Sequence, residues 1–238
     1  TVIDGHSGER RTEHYDALVL SPGAAPIRPP IAGVDLPGVF AVRNIPDSRR
    51  IRAWIEQRQA KSAVVVGGGF IGLEMVENLL HRGLEVTVLE KLPQVMPPLD
   101  PEMAVPLMEH LRGKGVQLHL GDGLSRIDSR DDGHLAVVAE SRAVLNADLV
   151  ILALGVRPET SLARMAGLAI GERGGIVVDT QMRTSDSHIW AVGDVVEVPD
   201  VLLGQITVLP LAGPANREGR IAAESIAGRE TRFRGIQA

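Results

Sequence analysis

Short apolar runs and segments of helical periodicity alternate through the middle of the chain. Ala63 to Val66 is rich in β-branched residues and has the length of a buried parallel strand. From residue 70 onwards, apolar positions recur at helical spacing until Gly83, a residue type that ends helices. This alternation predicts a βαβαβ unit on a parallel sheet. Its predicted elements are a strand at 63–66, a helix at 70–82, a strand at 85–89, a helix at 102–112 and a strand at 116–120.

The pattern changes on both sides of this unit. Residues 21–30 are dense in proline, which forbids a helix and predicts an extended linker. Asp47 can cap a helix, and Ile51 and Ile55 follow it at helical spacing. Downstream, alternating segments predict an antiparallel excursion before a strand at 148–154 returns to the main sheet. The other predicted elements are strands at 1–3, 12–15, 17–20, 124–128, 134–139, 175–178 and 188–192 and helices at 161–165 and 214–227.

Composition narrows the class of protein. The 238 residues are 44% hydrophobic, which is enough for a sizeable core. The net charge of -5 and the lack of a basic stripe argue against nucleic acid as a partner. No apolar run approaches the length of a membrane span, and we expect a cytoplasmic protein. The chain has no cysteine, hence no thiol of its own, and its seven histidines form no pair spaced for a metal.

The glycines that follow the first strand of the βαβαβ unit predict a dinucleotide site. Gly67 allows a tight turn, Gly69 lets the backbone approach a pyrophosphate, and Gly72 lets the helix pack closely on the strand. The pyrophosphate would lie at the helix N-terminus, where free amides and the helix dipole favour negative charge. A lone GxGxxG is a weak signal, but here a second strand follows and ends in an acidic residue, Glu90.

Glu90 indicates which dinucleotide binds. A carboxylate at this place can accept hydrogen bonds from both ribose hydroxyls, whereas it would repel the 2′-phosphate of NADP. The sequence therefore favours NADH over NADPH. Lys91, the next residue, has two interpretations. As a cation beside Glu90 it would partly offset the repulsion and weaken the preference for NADH, or it is a solvated loop lysine without such a role.

Three further stretches resemble a known family. They are Tyr15 to Pro26, Leu152 to Pro158 and Thr184 to Asp194, the last being an apolar strand closed by Gly-Asp. With the dinucleotide motif, they are similar to FAD-dependent pyridine nucleotide-disulfide oxidoreductases, in particular the group of coenzyme A-disulfide reductases, NADH oxidases and persulfide reductases. Ser21-Pro22 stands where that family usually has Ala-Thr.

The resemblance implies roles for several residues. Gly155 and Val156 would face the nicotinamide half of NADH, and Gly193 and Asp194 would bind a ribityl hydroxyl of FAD. Leu211 and Ala212 belong to a segment that would lie beneath the flavin pyrimidine, at a helix N-terminus suited to negative charge. Glu74 would lie near the nicotinamide, or be merely an exposed helix glutamate. Phe70 and Ile71 would line the same pocket.

The fold class implied is α/β: a Rossmann-like NAD domain, with its parallel sheet and antiparallel excursion, inserted into a partial, three-layer FAD domain. We place the FAD pieces at 1–45 and 157–238 and the NAD(H)-binding domain at 46–156. The N-terminal FAD glycine motif, the family's active-site cysteine and the C-terminal dimerisation domain are not in this sequence. We therefore expect an internal fragment with no catalytic residue of its own, inactive alone, from a protein that is a homodimer at full length.

The expected reaction passes hydride from NADH through FAD to a small-molecule disulfide, coenzyme A-disulfide or persulfide. Two alternatives stay open. One is an NADH-dependent ferredoxin, rubredoxin or nitrite reductase flavoprotein, which shares the two-nucleotide layout without the same thiol. The other is a dinucleotide-sensing module without chemistry, which would keep Gly67, Gly69 and Glu90 but would not need Asp194.

Overall fold

A computed structural model describes residues 1–237, which divide into two compact units. One unit is Pro26–Val156, and the other combines Thr1–Ala25 with the segment from Arg157 onwards. The second boundary falls where the sequence predicts it, between 156 and 157. The first boundary falls after residue 25 rather than after 45, because a strand at Val39–Phe40 pairs within the middle unit.

The secondary structure follows the predicted α/β alternation. The strands are β1 (Val2–Ile3), β2 (Arg10–Arg11), β3 (Leu18–Leu20), β4 (Ala24–Pro26), β5 (Val39–Phe40), β6 (Ser62–Val66), β7 (Glu85–Glu90), β8 (Gln117–Leu120), β9 (Leu124–Ser129), β10 (Leu135–Ala139), β11 (Val144–Ala147), β12 (Leu149–Leu152), β13 (Val156–Pro158), β14 (Ile176–Val177), β15 (Ile189–Ala191), β16 (Val196–Asp200) and β17 (Gln205–Thr207). The helices are α1 (Ile45–Arg58), α2 (Phe70–His81), α3 (Pro101–Gly113), α4 (Ser161–Met165) and α5 (Ala212–Ile226).

The middle unit is built on a parallel sheet in the order β5-β12-β6-β7-β8. Neighbouring residues of β6 pack into two different cores, as side chains that alternate along a strand require. Val65 packs in the core that holds Val76 of α2, whereas Val64 and Val66 pack in the core that holds Val137 of β10. Burial on both faces explains why this strand is uniformly apolar.

The predicted antiparallel excursion is confirmed as a sheet in the order β11-β10-β9. The strand predicted at 148–154 is β12, which begins one residue later and ends two residues earlier, and β11, which ends just before Asp148, was not predicted. The Asp148 carboxylate accepts hydrogen bonds from the amides of Lys61 and Ser62, at 2.7 and 2.9 Å. Partial burial opposes its ionisation, but these bonds outweigh it and hold the pKa of Asp148 below its ordinary value.

Helix α1 begins three residues earlier than a cap at Asp47 would place it. Asn44 is the N-cap, and its side chain accepts a hydrogen bond from the Asp47 amide at 3.0 Å. The Asp47 carboxylate in turn accepts from the Asn44 amide at 3.1 Å, which completes a capping box. Asp47 is thus the third helical residue and not the cap.

The other unit contains a two-stranded parallel sheet, β15 beside β3, and a sheet in the order β14-β16-β17. Its core includes Leu20, Ile176 and Trp190, with Ala222 from α5. A strand predicted at 12–15 was wrong: β1 pairs with Arg10 and Arg11 instead, and β16 and β17 were not predicted. Within residues 1–237, no helix is both long enough and apolar enough to cross a bilayer.

Candidate functional site

The carboxyl ends of β6, β7 and β12 meet at one edge of the parallel sheet. The chain leaves β6 towards β7 on one side, and β12 returns on the other, so this edge is a topological switch point, where open α/β sheets bind ligands. Hydrogen bonds tie the strand ends together: the Gly67 amide donates to Leu89 O and the Ala153 amide to Val66 O, both at 2.8 Å. The predicted dinucleotide residues after β6, β7 and β12 are thereby brought to one place.

The three glycines of the motif have three different surroundings. Gly67 has a φ of +108°, and a Cβ there would lie 2.3 Å from Ala153 O, so no other residue type fits without displacing the next strand. A Cβ on Gly72 would lie 2.0 Å from Gly67 O, because α2 starts hard against the turn. A Cβ on Gly69 would meet nothing within 4 Å. The open space at Gly69 is where a ligand can approach the backbone.

The N-terminus of α2 fits a pyrophosphate. Gly69 is its N-cap and offers no side chain to the first amides of the helix, and no acidic residue stands in the first turn. The free amides and the positive end of the dipole therefore face the open space beside Gly69. Backbone donors and lack of competing negative charge are what a phosphate group requires.

Glu90 lies at the end of β7 and is 8% exposed. Its two carboxylate oxygens accept one backbone amide each, from Gly68 at 2.6 Å and from Leu92 at 2.8 Å. The sequence predicted the position of Glu90 but not these bonds, which fix the glycine loop to the loop after β7. Each oxygen keeps one further lone pair for a ligand hydroxyl.

Lys91 is exposed and forms an ion pair with Glu140, with 3.2 Å between Nζ and Oε1. Glu140 follows β10, and sequence reasoning gave it no role. It lies beside Asp122, which follows β8 and accepts hydrogen bonds from Ser141 and His119. These bonds, that of the Ser141 hydroxyl foremost, lower the pKa of Asp122 from 3.8 to about 2.

The residues expected near the nicotinamide lie at the same edge or close to it. Gly155 has a φ of +89°, its carbonyl accepts the Ile27 amide at 3.0 Å, and Val156 beside it is half-buried. Phe70 and Ile71 open α2, and Phe70 is 65% exposed. Glu74 lies one turn further on, exposed, and shares with Phe70 a groove lined also by Leu107 and Leu111 of α3.

The other unit holds a second strand-end turn. Gly193 has a φ of +81° and Asp194, half-buried, follows it after β15. Within residues 1–237, no hydrogen bond or ion pair engages the Asp194 carboxylate, which leaves it available to a ligand hydroxyl. A Cβ on Gly193 would lie 3.8 Å from Ala215, which places the turn beside the first turns of α5. Leu211 is the N-cap of α5 and Ala212 its first residue, and Leu211 offers no side-chain cap, so amides of that turn are free as well.

Glu218 of α5 is a residue of this turn that sequence reasoning missed. It is 2% exposed, and its Oε2 accepts the Gly193 amide at 2.7 Å. Burial raises the pKa of Glu218 above its ordinary value, and the neighbouring Asp194 charge raises it further. The hydrogen bond from the Gly193 amide and, more weakly, the charge of Arg217 oppose this rise without cancelling it. A glutamate in the polar run Asn216 to Arg220 gave no sign of burial in the sequence.

The fold is α/β, and both turns follow the ends of parallel strands, the place at which proteins of this class bind nucleotides. The model of the pyridine nucleotide-disulphide oxidoreductase family matches residues 1–219, and the chain belongs to that family. It is 44% identical over 221 residues to an NADH oxidase of Methanocaldococcus jannaschii, a match that covers 92% of this chain and 49% of the relative. The chain thus spans about half the length of the curated relatives it matches.

Solved structures agree with this membership. A reduced CoADR-RHD of Bacillus anthracis superposes with a TM-score of 0.92 at 46% identity, over 97% of this chain and 41% of the other. An NAD-dependent persulfide reductase from A. fulgidus gives 0.89 at 41% identity, over 93% and 41%.

A further pair of solved structures differs in its cofactor. A water-forming NADH oxidase of Lactobacillus brevis bound to NADH gives a TM-score of 0.90 at 31% identity, over 99% of this chain and 51% of the other. Its engineered form, bound to NADPH, has a TM-score of 0.90 and 30% identity, with the same coverage. That form has a glycine changed to alanine and, eighteen residues further on, an aspartate changed to alanine and the next residue to arginine. A proline seven residues after the aspartate is also changed to arginine.

Proposed function

We propose that this chain is the NADH-binding part, with half of the FAD-binding part, of an enzyme that passes hydride from NADH through FAD to a disulfide, a coenzyme A-disulfide or a persulfide. One observation carries the proposal: the chain has two strand-end turns of the kind that bind nucleotides, each with free helix amides and a carboxylate beside it. A dinucleotide-sensing module needs the first turn only. The second turn, with the unpaired Asp194, supports a flavin.

The residues of the chain would bind and orient the two cofactors. The turn from Gly67 to Gly72 and the N-terminus of α2 hold the pyrophosphate of NADH, and Glu90 accepts its ribose hydroxyls. Asp194 would accept a hydroxyl of the flavin side chain, and the free amides at the N-terminus of α5 would favour negative charge on the flavin ring. FAD, when bound, supplies the relay of electrons from nicotinamide to acceptor. Because the chain has no cysteine, the thiol that meets the acceptor is not assigned to it.

The preference for NADH is supported by a comparison of spacing. Gly72 and Glu90 of this chain are eighteen residues apart, Lys91 follows Glu90, and Pro97 stands seven residues after the acid. Gly72, Glu90 and Pro97 therefore have the same spacing as the glycine, the aspartate and the proline that were changed in the engineered NADPH oxidase. This chain retains at those places the residue types that were removed to obtain the NADPH form. We infer that Glu90 selects NADH.

Anaerobic titration of the full-length protein tests the proposal. We expect a flavin absorption band that NADH bleaches at lower concentration than NADPH does. A coenzyme A-disulfide or a persulfide should then restore the band faster than oxidised ferredoxin or rubredoxin restores it. The Glu90→Ala variant should bind NADH more weakly and lose the preference, and an Asp194→Ala variant should release flavin. The homodimer that we also propose is tested by the mass in solution.

Each rival reaction has its own outcome. A protein whose flavin is reoxidised only by ferredoxin, rubredoxin or nitrite would be a reductase of the other class. A protein that binds NADH but no flavin would be a sensing module. Equal affinities of the wild type for NADH and NADPH would refute the role of Glu90.

A further inference from the structure

Lys91 occupies a position that decides between the two dinucleotides. It follows Glu90 directly, and at that spacing the engineered NADPH oxidase carries an introduced arginine. A cation beside the acid that would bind the adenosine ribose is the kind of group that accommodates a 2′-phosphate. Taken alone, Lys91 would favour NADPH and work against Glu90.

The structure gives Lys91 a different partner. Its Nζ lies 3.2 Å from Oε1 of Glu140, with 70% of the Lys91 side chain and 54% of the Glu140 side chain exposed. An exposed ion pair has a small net free energy when both of its side chains must lose conformational freedom to form it. The effect of this pair on a ligand therefore depends on how firmly Glu140 is held.

The turn that carries Glu140 is held by several bonds. The Glu140 amide donates to Gly123 O at 2.8 Å, and the Ser141 amide donates to Oδ1 of Asp122 at 3.0 Å. The Asp122 amide donates to Glu90 O at 3.1 Å, so this turn is tied to the strand end that selects the cofactor. Gly123 leaves room for the Glu140 carboxylate, since a Cβ there would lie 2.7 Å from Oε1.

The charge around Lys91 is consequently negative. Glu90 precedes Lys91 in the chain, Glu140 pairs with its ammonium group, and Asp122, adjacent to Gly123, adds a third carboxylate to the turn that carries Glu140. We propose that Glu140 is a specificity-determining residue, which pairs with Lys91 and thereby withholds its ammonium group from a 2′-phosphate. The proposal rests on the proposed function, because it requires that a dinucleotide binds at this edge.

A double-mutant cycle in the full-length protein tests it. The dissociation constants of NADH and NADPH are measured for the wild type, Glu140→Gln, Lys91→Ala and the double variant. Glu140→Gln should bind NADPH about three- to fivefold more tightly, the factor expected of one exposed charge pair, while NADH changes by less than about twofold. The gain should be absent in the Lys91→Ala background and should shrink in high salt.

Two further variants complete the design. Glu85→Gln removes an exposed carboxylate at the opposite end of β7 and should leave both constants unchanged. Gly123→Ala should displace the Glu140 carboxylate and reproduce part of the NADPH gain with all charges present.

The proposal is overturned if Glu140→Gln leaves NADPH binding unchanged, or if its gain is the same with and without Lys91, since Glu140 would then act by repulsion alone. NADH binding that stays normal in those cases leaves the proposed function intact. If no variant binds either dinucleotide, the proposed function and this inference fail together.

Discussion

The two strand-end turns use the same device with different consequences. In each, a buried glutamate accepts the amide of a glycine after the strand: Glu90 binds Gly68, and Glu218 binds Gly193. Glu90 accepts a second amide, whereas Glu218 accepts only one and has Asp194 as a neighbour. The turn at Gly67 is held by two amide hydrogen bonds to Glu90 and by the close approach of Gly67 to the Ala153 backbone. The turn at Gly193 depends on Glu218, a carboxyl group whose charge is disfavoured by burial. Similar turns can therefore respond differently to substitution and to pH.

The largest difference is expected from alanine at Gly67 and Gly193, the positive-φ glycines that follow β6 and β15 in the two turns. Gly67→Ala should cost about 3 kcal/mol or more, because its Cβ would lie 2.3 Å from Ala153 O in addition to the unfavourable φ. Gly193→Ala meets only an ordinary contact at 3.8 Å and should cost about 1–2 kcal/mol. Urea unfolding of both variants in the full chain measures this. Equal midpoints would show that the close approach at Gly67 is not decisive.

Glutamine at the two buried glutamates should have effects of opposite sign. Glu90→Gln places an amide group against a backbone N–H and should cost about 1–3 kcal/mol. Glu218→Gln keeps an acceptor for Gly193 and removes a disfavoured charge, so it should stabilise at neutral pH.

The gain at Glu218 should depend on pH. Because the folded-state pKa is raised, the stability contributed by neutral Glu218 is full below its ordinary value of 4.5 and is lost as pH rises through the folded value. The melting temperature of Glu218→Gln should therefore exceed that of the wild type by more at pH 8 than at pH 4. Asp194 and Arg217, the charged neighbours, are unchanged in this comparison. A gain that does not vary with pH would contradict the charged state assigned to Glu218.

The smallest effect is expected at Asp122, where the sign of the pH dependence is reversed. Its pKa is lowered from 3.8 to about 2, so its contribution is present above pH 3.8 and is lost as pH falls towards 2. As the pH falls from 3.8 towards 2, the free energy of unfolding of Asp122→Asn should decrease less than that of the wild type. Circular dichroism during acid titration provides the measurement, and parallel curves for the two proteins would refute the assignment.

Periodicity in the sequence predicted the parallel unit well, and for a physical reason. Strands buried on both faces are uniformly apolar and helices on the sheet are amphipathic, so β6, α2, β7, α3 and β8 lie within two residues of their predicted bounds. Short strands with mixed polarity were missed: β16 contains Pro199 and a buried Glu197, and β17 has three residues. At Asn44 and Asp47, two residues of capping type stand three positions apart, and only the folded backbone shows which is the cap.

The site was predictable where a residue type is required by the local backbone, and unpredictable where tertiary contacts decide. Gly67 and Gly72 are needed by the turn itself, and the structure shows the close approaches that exclude a side chain. Glu218 and Glu140 are glutamates in polar stretches, and their partners are 25 and 49 residues away in sequence. No local pattern marks such contacts.

The hydrogen bond between the Ile27 amide and Gly155 O bears on how the chain assembles during synthesis. β3 pairs with β15, with Leu18 opposite Ile189, so the unit they share needs segments from both sides of a long intervening stretch. The middle unit is contiguous and can fold as soon as it has been made. Once the middle unit is folded, that bond holds its two ends together. The pairing of β3 with β15 then has the closure entropy of a much shorter loop. The early-folding insert thereby lowers the entropic barrier to completing the unit that it interrupts.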